Sequence, residues 1–349
     1  MTELKQLKFP AIYSQLARDF IAASPRMKKL GVPLNRAYQL LRIPEKTLTD
    51  PHTSIRGDQM QVLMAAGNLL ADKTEPFGLQ LARLFKEDTL GVLGLAIVNS
   101  HTAEEALNTF QQYAFIYSPG IDYHISRQSG WVDITLTPLV KFDPTVEKIM
   151  LHMIFCAFAF YIRSSGLDVQ PQYYLPHSLD AAHKQALEKF TDSKVITTAA
   201  QARLRLPESV LQSPIKNPNT AMHALYIEQL KQQAESARDD ESFGLRACRL
   251  LEHHARQGEF FSRDELALEM AVSVRTLNRK LKDDGLSFQP LLDQARFNIA
   301  RRLLAESNKT TKQIAFECGI QNPAVFCRAF KKWSGKTPGD FRKDYQQVI

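Results

Sequence analysis

The chain has 349 residues, 44% of them apolar and 23% charged, with four cysteines and a net charge of +7. This length suits two or three domains with ample apolar material for cores, and the composition excludes a disordered chain or a collagen-like repeat. Cys156, Cys248, Cys318 and Cys327 lack paired C-x-x-C spacing, so neither a zinc site nor a disulfide framework is expected. His101, His124, His152 and His177 are scattered without metal-ligand spacing, and no metal or cofactor is expected.

The opening stretch mixes Lys5, Lys8, Arg18, Asp19 and Arg26 with short apolar runs, unlike a secretory signal, which points to a cytoplasmic protein. Charge is unevenly placed: from Glu241 onward there are 19 Lys or Arg against 13 Asp or Glu, so nearly all of the positive balance sits at the C-terminal end. A basic end fits a polyanion partner, because neutralising phosphates releases condensed counterions.

Residues 1 to about 115 read as mostly helical by period, over Ala11 to Ser24, Ala37 to Leu41, Gly57 to Ala71, Pro76 to Phe85, and a helix capped by Thr102 and Glu105 running toward Tyr117. Gly91 and Gly94 follow no strand at phosphate-cradling spacing, so they read as a tight turn or close packing. The period then changes to two. Ile121 to Ser126 and Trp131 to Thr137 alternate across Gln128-Ser-Gly130, which predicts a β-hairpin.

Ile149 to Ile162 is an apolar run of 14 residues containing His152, shorter than the roughly 20 residues that a membrane span needs. Flanked by Asp143-Pro144 and Ser165-Gly166, it predicts a buried helix and no membrane insertion. Met150, Met153, Phe155 and Phe158 on it are candidate ligand-pocket residues, and such a wall suits a hydrophobic ligand. Short strands are expected at Gln172 to Leu175, Ser193 to Thr197 and Ala202 to Leu206, with a helix at Ala181 to Phe190. The result is an α+β domain, mainly helical with a small antiparallel sheet, over residues 1–218. Residues 219–241 are amphipathic first and polar last, predicting a linker helix and connector, and Met222, Tyr226 and Leu230 form a stripe able to dock on the preceding domain or on another subunit.

Residues 242–349 predict an all-α domain of two helix-turn-helix units joined by a linker helix. In the first unit Ser262 and Glu265 make a capping box ahead of Leu266, Ala267 and Met270. Ser273 caps a second helix with Val274, Leu277 and Leu281 on one face and Arg275, Asn278, Arg279 and Lys282 on the other. The grammar repeats about 49 residues later: Thr310 with Gln313, Gly319 in the turn, Asn322-Pro323 as N-cap and N1, then Phe326, Arg328 and Phe330. Between the copies, Leu291, Ala295, Ile299 and Leu303 stripe a helix of roughly 24 Å. Because adjacent major-groove faces on one side of B-DNA repeat about every 34 Å, such a connector suits entry of both units into one duplex.

These residues carry a resemblance. Ile314-Ala315, Cys318-Gly319, Phe326, Arg328, Phe330-Lys331, Gly335-Lys-Thr337-Pro338 and Phe341-Arg342 are together similar to the signature of the AraC/XylS family of bacterial transcription regulators. The resemblance implies that Arg275, Asn278 and Arg279, and Ala324, Cys327 and Arg328, are turned toward base edges of double-stranded DNA, with Ala324 replacing the family's usual small hydroxyl residue. Arginine reads guanine and asparagine reads adenine by paired hydrogen bonds, whereas Lys282, Lys312, Lys331 and Lys332 suit phosphates. The N-terminal part is similar to the effector domain of one subfamily through Phe77-Gly-Leu79, Gly91-Val-Leu-Gly94 and Thr102-Ala-Glu-Glu-Ala-Leu107, and does not look like a cupin barrel. The expected function is a sequence-specific transcription factor controlled by a small-molecule effector, an activator acting with RNA polymerase and a homodimer. The alternative is a cysteine-dependent alkyl-transfer DNA repair enzyme with a DNA-binding tail, for which Cys156 is the nearest nucleophile; its apolar setting argues against it.

Overall fold

A computed structural model describes residues 8–9, 20–21, 54–239 and 241–346, with side chains to residue 344. The helices expected at Ala11 to Ser24 and Ala37 to Leu41 lie, apart from Phe20 and Ile21, outside the described residues. The rest divides into two compact units, one up to Asp240 without Thr198–Gln201 and one from Glu241 on that includes them.

In the first unit, β1 (Lys8–Phe9) pairs antiparallel with β2 (Ile55–Arg56). Four helices follow: α1 (Gly57–Leu70), α2 (Phe77–Ala82), α3 (Gly91–Val98) and α4 (Ala103–Tyr117). The cap on α4 is Thr102, whose hydroxyl accepts from the Glu105 backbone N–H at 3.2 Å. Helix α3 was not among the expected elements, but the reading of Gly91 and Gly94 as turn or close packing fits both. Gly91, at φ +50°, supplies the turn into it, while Gly94 lets α3 pass close to its neighbours: a Cβ there would collide with the Tyr161 hydroxyl and the Glu87 carbonyl.

The hairpin forms as its alternation predicts. β3 (Ile121–Gln128) and β4 (Trp131–Pro138) pair with Gln128 opposite Trp131, so the loop is Ser129-Gly130 with φ of 53° and 78°. Positive φ at both turn residues matches the twist of the flanking strands. Beyond α5 (Pro144–Ser164) come β5 (Gln172–Tyr174), α6 (Ala181–Thr191), β6 (Lys194–Ile196) and β7 (Ala202–Pro207). The sheet order is β3-β4-β7-β5-β6. It is not wholly antiparallel: β5 and β6 run parallel, because the chain between them returns through α6 as a crossover.

Alternation assigns the two faces of the sheet. Val132, Ile134, Leu136, Leu204 and Tyr173 are at most 1% exposed and point inward, whereas Asp133 and Arg205 form a two-pronged pair at 2.7 and 2.8 Å on the outer face. Helix α5 covers the inner face through the Phe155 ring, 5.2 Å from that of Tyr173. At 21 residues α5 is long and apolar enough to cross a membrane, yet 67% of its apolar window is buried within the unit. It is a core helix, started by Asp143, whose carboxylate accepts from the Thr145 backbone N–H at 2.8 Å.

Helix α7 (Thr220–Asp239) ends the first unit. Its Leu230 and Ala234, 0% and 4% exposed, join a cluster with Leu93, Ala96 and Ile97 of α3 and Tyr113 and Tyr117 of α4.

The second unit runs α8 (Phe243–Arg256), α9 (Arg263–Glu269), α10 (Val274–Asp283), α11 (Phe288–Glu306), α12 (Thr311–Glu317), α13 (Pro323–Ser334) and α14 (Pro338–Gln346). Both capping boxes form, at Ser262 with Glu265 and at Thr310 with Gln313. The turns share one hydrogen-bond pattern: Ala271 N–H donates to Leu268 O and Val272 N–H to Ala267 O, as Gly319 donates to Phe316 and Ile320 to Ala315, all at 2.9 Å. Ala271 takes φ 53° where the second copy has Gly319 at 67°. One residue more lies between Gly319 and the Asn322 cap than between Ala271 and the Ser273 cap. The duplication therefore changes offset inside the turn without disturbing either helix.

Leu266, Leu277, Leu281, Ile314, Phe326 and Phe330 are completely buried. The connector α11, 19 residues and about 28 Å long, buries Leu291, Ala295 and Ile299 of the expected stripe, leaves Leu303 half-buried, and is buried on further sides. Leu292, Ala300 and Leu304 are also within 5% of full burial, Phe297 lies 5.6 Å from the Phe330 ring of α13, and Asn298 donates to the Glu252 carboxylate of α8 at 3.0 Å.

Replacing Gly94 by alanine forces a methyl group against Tyr161 and a backbone carbonyl, an overpacking that costs about 1–3 kcal/mol. Thermal and urea unfolding are expected to show this loss for Gly94→Ala and little change for Gly339→Ala, where nothing lies within 4 Å of a Cβ and the backbone is not left-handed.

Candidate nucleic-acid interface and ligand cavity

Each second helix of the paired modules is amphipathic in the sense that a reading helix requires. On α10, Leu277 and Leu281 are buried while Arg275, Asn278, Arg279 and Lys282 are exposed. Arg279 pairs with Asp283 at 3.3 Å, both about two-thirds exposed, so this ion pair is weak and readily exchanged for another anion. On α13, Phe326 and Phe330 are buried, Ala324, Arg328, Lys331 and Lys332 are exposed, and Cys327 is half-buried. Lys312 is exposed on α12. Asn322 caps α13 by accepting from the Ala324 and Val325 backbone N–H groups at 2.8 and 3.4 Å, which fixes where the helix begins and hence which side chains lead it.

The cysteines behave as small apolar groups. Cys156 is 0% exposed, and burial pushes its thiol well above the ordinary range. Cys318 is likewise buried and pushed up to about 12, with its Sγ 3.8 Å from the Arg296 carbonyl.

The first unit holds a partly open cavity of about 120 Å³. Its walls come from α3 (Leu93, Ile97), α4 (Ala106, Phe110, Tyr117), α5 (Met153, Ile154, Phe158, Tyr161) and the inner face of the sheet (Ile134, Leu204). Aromatic edges shape it: Phe110 stands edge-on to both Tyr123 and Phe158, at 4.8 and 4.9 Å. Met153 and Phe158 of the four candidate pocket residues line it. Met150 and Phe155 do not: Phe155 is turned onto Tyr173, and Met150 is 4% exposed in the core. Helical spacing explains the division, because residues 153, 154, 157, 158, 161 and 162 share one side of α5 while 155 faces another.

Sequence reasoning missed the contributions of α3 and α4. The signal was present in the apolar Leu93, Ala96 and Ile97 beside Gly94, but a helix that is apolar all round shows no face to read. Tyr161 holds the α3 entry by accepting from the Leu90 N–H at 3.1 Å and donating to the Glu87 carbonyl at 3.0 Å. Tyr117 both lines the cavity and reaches Gln233 Oε1 of α7 at 3.5 Å.

A family profile described as a helix-turn-helix domain matches residues 266–344. A second, described as the arabinose-binding domain of AraC transcription regulator, N-terminal part, matches residues 31–215, more than half of the chain. The ornithine utilization regulator of Pseudomonas aeruginosa is 24% identical over 346 residues, 96% of each protein. The urease operon transcriptional activator of Escherichia coli is 36% identical over 84 residues, covering 24% of this chain and 28% of that protein. The crystal structure of transcriptional regulator CdpR from Pseudomonas aeruginosa aligns with 89% of this chain and 96% of its own at 23% identity and a TM-score of 0.43.

A ligand-binding unit followed by paired helix-turn-helix modules defines the class of effector-controlled DNA-binding regulators. The chain belongs to the AraC family of transcription regulators, with an N-terminal effector-binding domain and a C-terminal DNA-binding helix-turn-helix domain. The sequence expectation of family and fold is borne out, with the sheet corrected from antiparallel to mixed.

Away from the cavity mouth, His152 of α5 meets His177 with ring nitrogens 2.9 Å apart. Burial, aided by the neighbouring cations, lowers His152 to about 3 and His177 to about 4. The folded state thus holds both rings neutral, while the unfolded chain protonates them near 6.5. Their contribution is complete above about pH 6.5 and declines as acid is added, because the unfolded state takes up protons first. Urea midpoints are expected to fall between about pH 7 and pH 5, and to fall less for His177→Gln, which removes one of the two proton acceptors.

Proposed function

We propose that this regulator reads DNA with α10 and α13 and is switched by a small molecule held in the cavity of the first unit. In this reading residues 1–218 sense the effector and dimerise, 219–241 connect, and 242–349 bind DNA. Arg275, Asn278 and Arg279 meet base edges in one groove and Ala324, Cys327 and Arg328 in the next; Lys282, Lys312, Lys331 and Lys332 meet phosphates. The observation that carries it is the exposure of Arg279 and Arg328 at matching positions on two helices whose opposite sides carry the fully buried Leu277, Leu281, Phe326 and Phe330. Surface charge alone usually signals solvation, but repetition at one register on both modules favours a shared task.

The route from cavity to DNA passes through α7. Leu93, Ile97, Ala106, Tyr117 and Tyr161 belong both to the cavity wall and to the cluster that buries Leu230 and Ala234 of α7. An occupant that shifts this wall changes the packing of the helix that leads into the DNA-binding domain, and it switches the protein only to the extent that it binds one arrangement more tightly. The protein acts as a homodimeric activator with RNA polymerase in the cytoplasm, and not as an enzyme: Cys156, the nucleophile an alkyl-transfer reaction would require, is buried with a raised thiol pKa. One relative is named for ornithine utilization. Ornithine does not suit this cavity, because an amino acid's charges find no charged partner among the described residues that line it.

Gel-shift titration against an operator and a scrambled duplex tests the assignment. Arg279→Ala and Arg328→Ala should each lose roughly 1–3 kcal/mol of discrimination at one base position, while Lys331→Ala should weaken both duplexes alike and reduce the salt slope by about one. Equal losses on both duplexes for the arginine variants refute base reading.

A further inference from the structure

We infer that the effector of this regulator is an electrically neutral, largely hydrocarbon molecule, and that acids, amines and sugars of similar size are excluded; this rests on the reading of the cavity as the effector site. Among the described residues that line the cavity none is Asp, Glu, Lys, Arg or His. Its polar groups are hydroxyls, and the main ones are already engaged. Thr89 Oγ1 accepts from the Lys86 N–H at 2.7 Å, Tyr161 uses its hydroxyl on Leu90 and Glu87, and Tyr117 is directed at Gln233.

The consequence follows from desolvation. A carboxylate or ammonium entering this space gives up its hydration and finds no counter-charge, whereas a hydrocarbon chain or ring gains from leaving water. A sugar would leave several hydroxyls unpaired for the same reason. With no charged side chain at the wall and its hydroxyls on Thr89, Tyr117 and Tyr161 already engaged, the space fits an apolar body carrying few polar groups, such as a long-chain alcohol, ester, ketone or aldehyde. The same desolvation shows in Tyr117 and Tyr161, whose phenols burial pushes above their ordinary range. Phe110, Tyr123 and Phe158 also offer ring faces, but with no carboxylate beside them a cation would rest on those faces alone.

The test uses the full-length protein and the uncharged fluorophore N-phenylnaphthylamine, displaced by decanol, decanoate, decylamine or decyltrimethylammonium below their micelle-forming concentrations. Decanol is expected to displace the dye at concentrations about a hundredfold lower than any of the charged probes, the ratio that about 2.7 kcal/mol of unpaired charge burial produces. Ala157→Phe and Val169→Phe, each filling the cavity from a different wall, should abolish dye binding while far-ultraviolet circular dichroism stays unchanged. Displacement by decanoate or either cation at the decanol concentration overturns the neutral-effector inference while leaving the cavity as the binding site. Absence of dye binding to the native protein, or binding that survives both filling variants, removes the cavity reading itself and the inference with it.

Discussion

A helix that is apolar on more than one side has to be surrounded, and this constraint organises both units. In the first, α5 cannot face water along its length, so α2, the sheet and α6 close around it, and the side left incompletely filled becomes the cavity. In the second, α11 is enclosed by α8 on one side and by the second module and α14 on the others. Each unit is therefore arranged around one central helix, with its functional groups carried on the elements that cover it.

The two sites make opposite demands on their surroundings. The helices proposed to read DNA need a fixed frame and a wet, cationic face. Leu277, Leu281, Phe326 and Phe330 supply the frame by complete burial, and the exposed arginines remain free to change partners, as the weak Arg279–Asp283 pair illustrates. The cavity needs dryness. The hydroxyls of Thr89, Tyr117 and Tyr161 are used by backbone and side-chain partners, so what it mainly offers an occupant is apolar contact and shape. In the proposed switch, α7 is the connecting element, because Leu230 and Ala234 pack it on the cavity wall and its chain continues into the second unit.

Duplication in the second unit is preserved at the level of geometry more than of residues. Ala271 adopts the left-handed backbone that Gly319 adopts more cheaply, and the same pair of hydrogen bonds closes each turn. The extra residue in the second turn is absorbed before Asn322, whose cap restarts the helix. The module thus tolerates an insertion where the chain is already irregular and leaves the helix register, on which side-chain presentation depends, intact.

Local rules were enough for the paired modules, because caps, turns and one-sided apolar stripes are properties of short stretches: Ser262 with Glu265, Thr310 with Gln313 and Asn322-Pro323 all stand where spacing put them. The hairpin at Ser129-Gly130 and the crossover helix at Ala181–Thr191 were legible for the same reason, being written in period and turn chemistry. What sequence could not decide was anything depending on which surfaces meet. Helix α3 has no polar face to betray its period; the parallel pairing of β5 with β6 depends on where α6 returns the chain; and Phe155 and Phe158, three residues apart, part company because only one side of α5 meets the cavity. Those outcomes were decided by the tertiary structure, since burial against a neighbour is a relation between distant segments and leaves no mark in either segment alone.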